Sequence, residues 1–138
     1  MDHDERNHIL FKNIFSEHKI SIKLRIFFTT EEMMNYLNHK NAIIPEILFM
    51  NYECSEKSAL HCIDVFRSCN RFSHMTTAVY SDELSPAQEE EFFIKGTNVM
   101  MKMPDNYIDL KNSLTEIITI NWQYHTSGLN KDNFIMKV

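Results

Sequence analysis

Pro45-Glu46-Ile47-Leu48-Phe49-Met50-Asn51 is the stretch whose reading decides the fold. The proline stops whatever precedes it, and Ile47 to Met50 is apolar at every position, without the alternation of a half-solvated strand. A short unbroken run of this kind reads as a strand covered on both faces, which is the situation inside a parallel sheet.

Further along, Met75 to Tyr80 is a second apolar strand with Thr at two positions, and Val99 to Met101 is a third, short one before Pro104. Between them lie helical patterns. Ser58 to Cys69 carries Leu60, Ile63 and Phe66 on one face. Ser85-Pro86-Ala87-Gln88 combines an N-cap, a proline at the first helical position and a glutamine able to close a capping box, and Gly96 ends that helix. Asp105 is a cap for a last helix containing Ile108, Leu110, Leu114, Ile117, Ile118 and Trp122 and running to about Tyr124.

Upstream, a helix within Asp4 to His18 repeats Ile9, Leu10, Ile14 and Phe15 at helical spacing, and Ser21 to Phe28 reads as a strand. Thr29-Thr30-Glu31-Glu32 then opens a helix through Asn38. Strands separated by helices predict an α/β fold: a doubly wound, five-stranded parallel sheet with helices on both faces, flavodoxin-like.

The chain of 138 residues, 43% hydrophobic, is expected to form a single domain over 1–138. No stretch is apolar and charge-free for long enough to span a membrane, and Met1-Asp2-His3-Asp4-Glu5 lacks the basic and apolar regions of a secretory signal. Cys54, Cys62 and Cys69 are an odd number of thiols in a chain with core enough to fold without staples, so a cytoplasmic protein is expected. A net charge of −5 disfavours nucleic acid as a partner, and the basic run Lys19 to Arg25 alternates with Ile20, Ile22 and Leu24 as a strand with a solvated face would.

Four stretches resemble the receiver domain of the response regulators of bacterial two-component signalling, in particular small stand-alone receivers. Asp2-His3-Asp4-Glu5-Arg6-Asn7 with Ile9-Leu10-Phe11-Lys12 is similar to the acidic loop and first helix. Pro45 to Asn51 resembles the third strand, ending at the phosphoacceptor. Ala78-Val79-Tyr80-Ser81 resembles the fourth strand with its switch hydroxyl, and Lys95 to Pro104 the glycine, fifth strand and Lys-Pro step. The receiver elements would occupy 2–124.

The resemblance implies a site with a phosphoacceptor aspartate, an acidic pair holding Mg²⁺, and a lysine that pairs with the phosphoryl group. Here Asn51 stands at the acceptor position, and a carboxamide has neither an anionic oxygen to attack phosphorus nor much attraction for a hard dication. The acidic pair falls on Asp2 and His3, and imidazole suits softer metals. The lysine position before Pro104 is Met103, and the adjacent Lys102 points to the opposite face of a strand. Ser81 keeps the switch hydroxyl, while the aromatic partner expected in the fifth strand is Met100.

The expectation is therefore a degenerate receiver without an enzymatic role, metal or other cofactor. It would act as a phosphorylation-independent module that binds a signalling protein. The alternative is a divergent receiver phosphorylated at Asp2, Asp4 or Glu53. The surface of helix 4, strand 5 and helix 5 is the candidate interface, with Met100, Met101 and Tyr107 in or near it; methionine adapts to irregular partners, though it fills core gaps equally well.

Members of the family have a strand before the acidic loop, in the middle of the sheet, and this sequence opens at that loop. After a linker over 125–132, Asn133-Phe134-Ile135-Met136-Lys137-Val138 reads as a short strand. A linker of roughly eight residues reaches up to about 26 Å, so this segment is expected to supply the missing first strand in a permuted order, or to fill the gap of a second chain in a swapped dimer.

Two weaker patterns remain. His61, Cys62, Cys69 and His74 cluster in sequence but lack a C-x-x-C pair, which favours core and surface roles over zinc. Cys54 lies beside the remnant site with no identifiable base.

Overall fold

The computed structural model describes residues 1–53, 56–128 and 134–138, with the side chains of all of these except 56–58. Cys54, and the stretch 129–133 that contains Asn133, lie outside the described residues.

The elements in chain order are α1 (Glu5–Ser16), α2 (Thr30–Leu37), β1 (Ile47–Asn51), α3 (Glu56–Ser68), a 3₁₀ turn (Asn70–Phe72), β2 (Thr76–Ser81), α4 (Pro86–Lys95), β3 (Val99–Lys102), α5 (Tyr107–Ser127) and β4 (Met136–Lys137). The described strands form one parallel sheet in the order β1-β2-β3-β4, with Phe49 opposite Ala78 and Val79 opposite Met100. The strands β1, β2 and β3 bury residues on both faces, so two cores result. Leu48, Met50, Val79 and Met100 pack with Met33 of α2, Phe66 of α3 and Phe92 of α4. Ala78, Tyr80, Val99 and Met101 pack with Phe11 and Phe15 of α1 and Leu114 and Ile117 of α5.

Local chemistry sets the helix ends. Ser85 and Gln88 close a capping box at α4, as their spacing predicts. The α4 helix ends at Gly96 with φ +107°, a left-handed conformation, and a Cβ there would come within 2.7 Å of Arg67 Cγ. Asn106, one residue later than expected, caps α5, because its side chain accepts from the Asp109 N–H; the helix runs to Ser127 instead of Tyr124.

Three expectations are corrected. The sheet has four strands among the described residues, not five. Residues 21–27 form no strand: Phe27 C=O accepts from the Asp2 N–H at 3.0 Å, but no neighbouring strand runs beside the segment to complete a ladder. The C-terminal segment does form a strand, but at an edge of the sheet and not in the middle, where the missing first strand was expected. Met136 N–H donates to Asn98 C=O at 2.7 Å and Val138 N–H to Met100 C=O at 2.9 Å, so β4 extends the β3 edge and does not replace a first strand beside β1. Phe134 explains the choice. It is 1% exposed, lies 4.7 Å from the Tyr124 ring, and its carbonyl accepts from Asn98 Nδ2, so the edge of β3 offers the tail an apolar seat as well as a ladder.

Among the described residues no helix is long and apolar enough to cross a membrane.

Candidate functional site

Asn51 ends β1 at the carboxyl edge of the sheet, where α/β folds place their sites. It is 7% exposed, and its N–H donates to Met1 C=O at 2.9 Å. This brings the chain's first residues to the site.

Asp2 is buried. One carboxylate oxygen accepts from the Asp4 N–H at 2.8 Å; the other accepts from Asn7 Nδ2 at 2.8 Å and from the Tyr80 hydroxyl at 2.7 Å. The carboxylate that the resemblance assigns to metal binding thus accepts from a backbone amide, a side-chain amide and a phenol of the protein itself. His3 is exposed, while His8 Nε2 makes a short hydrogen bond to the Asp2 carbonyl. Asp4 caps α1 through the Arg6 N–H and pairs with the Arg6 guanidinium, and these bonds hold its carboxyl below the usual carboxylate range.

Ser81 ends β2. Its hydroxyl donates to Glu53 Oε1 in a short hydrogen bond and also contacts the Glu83 backbone; the Asp82 N–H donates to the same Glu53 oxygen at 2.8 Å. A hydroxyl and an amide therefore converge on one carboxylate from the loop after Asn51. Gln88 Nε2 donates to Tyr52 Oη at 2.9 Å, which ties this loop to the start of α4.

Met103 N–H donates to Ser81 C=O at 2.8 Å, and its side chain packs against the α1/α5 core, whereas Lys102 is exposed. Among the described residues no group of three His, Cys, Asp or Glu side chains is arranged to hold a metal ion, and His61, Cys62, Cys69 and His74 form no such cluster. Cys62 is buried, and desolvation pushes its thiol up to about 11.

The interface expectation needs correcting. Met100 and Met101 are each 2% exposed and face opposite cores, so both fill the interior of this chain and offer no exposed surface. Tyr107 is half-exposed and donates to Glu17 Oε1 at 2.7 Å, and that bond raises the phenol above its ordinary range.

Sequence reasoning missed two contacts, Tyr80 to Asp2 and Ser81 to Glu53. The available signal was that a tyrosine in an apolar strand needs a partner for its hydroxyl once buried. Sequence alone does not say which residue provides it.

No family model matches the sequence, and no curated protein is similar to it. Solved structures are. The response regulator RPA3017 in red light signalling of R. palustris superposes with a TM-score of 0.73 at 16% identity, over 88% of this chain and 87% of that one. The phosphorylated cyanobacterial phytochrome response regulator RcpA gives 0.76 at 12% identity, over 90% and 89%. A two-component response regulator from Legionella pneumophila gives 0.72 at 15% identity, over 87% and 95%. The chain has the receiver-domain fold of response regulators.

Proposed function

We propose that this chain is a receiver scaffold that signals by binding another protein in the cytoplasm, without phosphorylation and without Mg²⁺. The observation that carries this reading is the engagement of Glu53. Its carboxylate already takes the Ser81 hydroxyl and the Asp82 N–H, the donors that an incoming anion at this edge would need. A resident anion favours one constitutive arrangement over a switch.

Each acidic residue that could replace the missing acceptor is also engaged: Asp2 by Tyr80 and Asn7, Asp4 by Arg6, Glu53 by Ser81. The partner surface we favour is that of α4 and α5, where Ile94 is 76%, Ile108 69% and Trp122 57% exposed and Tyr107 is half-exposed.

The test is incubation with a small phosphodonor and Mg²⁺ followed by intact-mass measurement, on the parent protein and on Asn51→Asp. Neither is expected to gain a phosphate, because Asn51→Asp restores a nucleophile without a lysine or an available acidic pair. A phosphate found on Asp2, Asp4 or Glu53 of the parent protein would establish the divergent-receiver alternative instead.

A further inference from the structure

Three stretches of the chain, 18–30, 33–45 and 65–81, contain no aspartate or glutamate, although acids outnumber Lys and Arg by 19 to 14 over the whole sequence. They carry Lys19, Lys23 and Arg25, then Lys40, then Arg67 and Arg71. The fold joins the three at the carboxyl end of α2. The Arg25 guanidinium lies 4.3 Å from the centroid of the Tyr36 ring, on α2, and Phe27 packs against the same ring at 5.5 Å. From the third stretch, Arg71 Nη2 donates to the His39 carbonyl, just beyond the helix, in a short hydrogen bond, and its guanidinium lies 5.9 Å from the Phe72 ring.

Between these two contacts runs the loop 39–43. Tyr36 Oη accepts from the Ile43 N–H at 3.1 Å, so the loop is held to the ring that Arg25 covers. Lys40 is exposed, and Ile43 is 76% exposed. An exposed isoleucine thus shares a short loop with Lys40 and is tied through Tyr36 to Arg25 and through His39 to Arg71. Neither arginine pairs with a carboxylate among the described residues. Three of the acids that flank these stretches are engaged elsewhere: Glu17 by Lys111 and Tyr107, Glu32 by the Phe28 N–H, and Asp64 by Lys95.

A surface arginine without an acid is ordinary. One that is stacked on a ring is already held in place, so binding an anion costs it less side-chain entropy, and here there are two. Arg71 uses one of its five N–H donors on the end of α2. Arg25 meets Tyr36 with the face of its guanidinium, a contact that leaves its N–H edges for an acceptor.

We infer that this surface docks an acidic segment of a partner protein, with carboxylates on Arg25, Arg71 and Lys40 and a large apolar side chain over Ile43. Guanidinium edges take carboxylates bidentately, and the isoleucine selects a side chain that shields it from water over a phosphodiester chain that does not. Nucleic acid is the weaker occupant. The patch is small, and a net charge of −5 works against a long polyanion more than against a short segment that meets only the local field. None of these residues belongs to α4 or α5, so this inference does not rest on the surface proposed above and each can fail without the other.

The probe is a short peptide of aspartates and glutamates interrupted by two phenylalanines, titrated into the protein at low salt and followed by NMR. Its controls are the same peptide with serine for phenylalanine, and a single-stranded DNA of equal charge. Saturable one-to-one binding of the phenylalanine peptide is expected, with shifts at the amides of 39–43 and at Nε of Arg25 and Arg71. Arg25→Gln combined with Arg71→Gln should weaken it about tenfold. Arg71→Gln also removes a bond to the end of α2, so Ile43→Ser provides a second reading that alters no charge and no helix end. It should weaken the phenylalanine peptide about threefold or more and leave the serine peptide unchanged. No saturable binding, equal or tighter binding of the DNA, or affinities for the phenylalanine peptide that neither variant changes would each overturn the inference.

Discussion

Removing the Tyr80 hydroxyl tests whether Asp2 belongs to the fold or to a vacated metal site. Tyr80→Phe keeps the ring in its place 5.2 Å from Phe11 and deletes one 2.7 Å bond to a buried carboxylate. A hydrogen bond to a charged acceptor is worth about 1.5–3 kcal/mol, so a loss of about 2 kcal/mol is expected. For 138 residues the unfolding entropy is about 0.3 kcal/mol per kelvin, which converts that loss into a melting temperature lower by about 7 °C. Thermal unfolding followed by circular dichroism reads the shift. The control is the same substitution in an Asp2→Asn background, where the acceptor is neutral and the further loss should fall to about 1 kcal/mol or less. A Tyr80→Phe protein that melts within about 1 °C of its parent would refute the reasoning, because the error in such a comparison is far smaller than the expected shift. An undiminished loss in the Asp2→Asn background would refute it as well, by showing that the hydroxyl matters for some reason other than this carboxylate.

Phe134→Ala should cost about 3–5 kcal/mol, as expected for a large aromatic truncated in a core, and urea unfolding measures it; an unchanged midpoint would mean that the tail adds nothing to the fold. Cys62 gives the pH dependence. Its thiol has a pKa of about 11 in the folded protein against an ordinary 9.0, so below 9 both states are protonated, and between 9 and 11 the unfolded chain loses the proton first. Stability should therefore fall as pH rises through that window, and urea unfolding at pH 8 and 10.5 should show a smaller fall for Cys62→Ala; equal falls would remove this thiol as the cause.

The parts of the fold that were legible in the sequence are those whose physics is local. Ser85, Pro86 and Gln88 specify a helix start by chemistry within four residues, and Ile47 to Met50 specifies a doubly covered strand by composition alone. Position within the sheet is a different matter. The tail's apolar run announced a strand, but whether it lies inside the sheet or at the β3 edge depended on where α5 ends and on a seat for Phe134 beside Tyr124, contacts that no sequence spacing encodes. Met100 and Met101 were ambiguous for a similar reason, since methionine suits a core gap and a partner surface alike and only burial decides. In the site, Asn51, His3 and Met103 were readable as departures from the residues that the resemblance implies. The contacts found there, Tyr80 to Asp2 and Ser81 to Glu53, join residues 78 and 28 positions apart and were not.

Met1 and Asp2 tie the edge of β1 to the candidate site. Met1 holds Phe49 and Asn51 at the end of β1; Asp2 holds Phe27 through its amide and Tyr80 through its carboxylate. Any shift of Met1 changes the environment of Asn51 through the hydrogen bond they share. From Asn51 the chain leads directly to Tyr52, bonded to Gln88 of α4, and to Glu53, bonded to Ser81. The end of β1 is thus joined to β2 and to the start of α4 by a short run of chain and two side-chain contacts, so a displacement at Asn51 is felt at both.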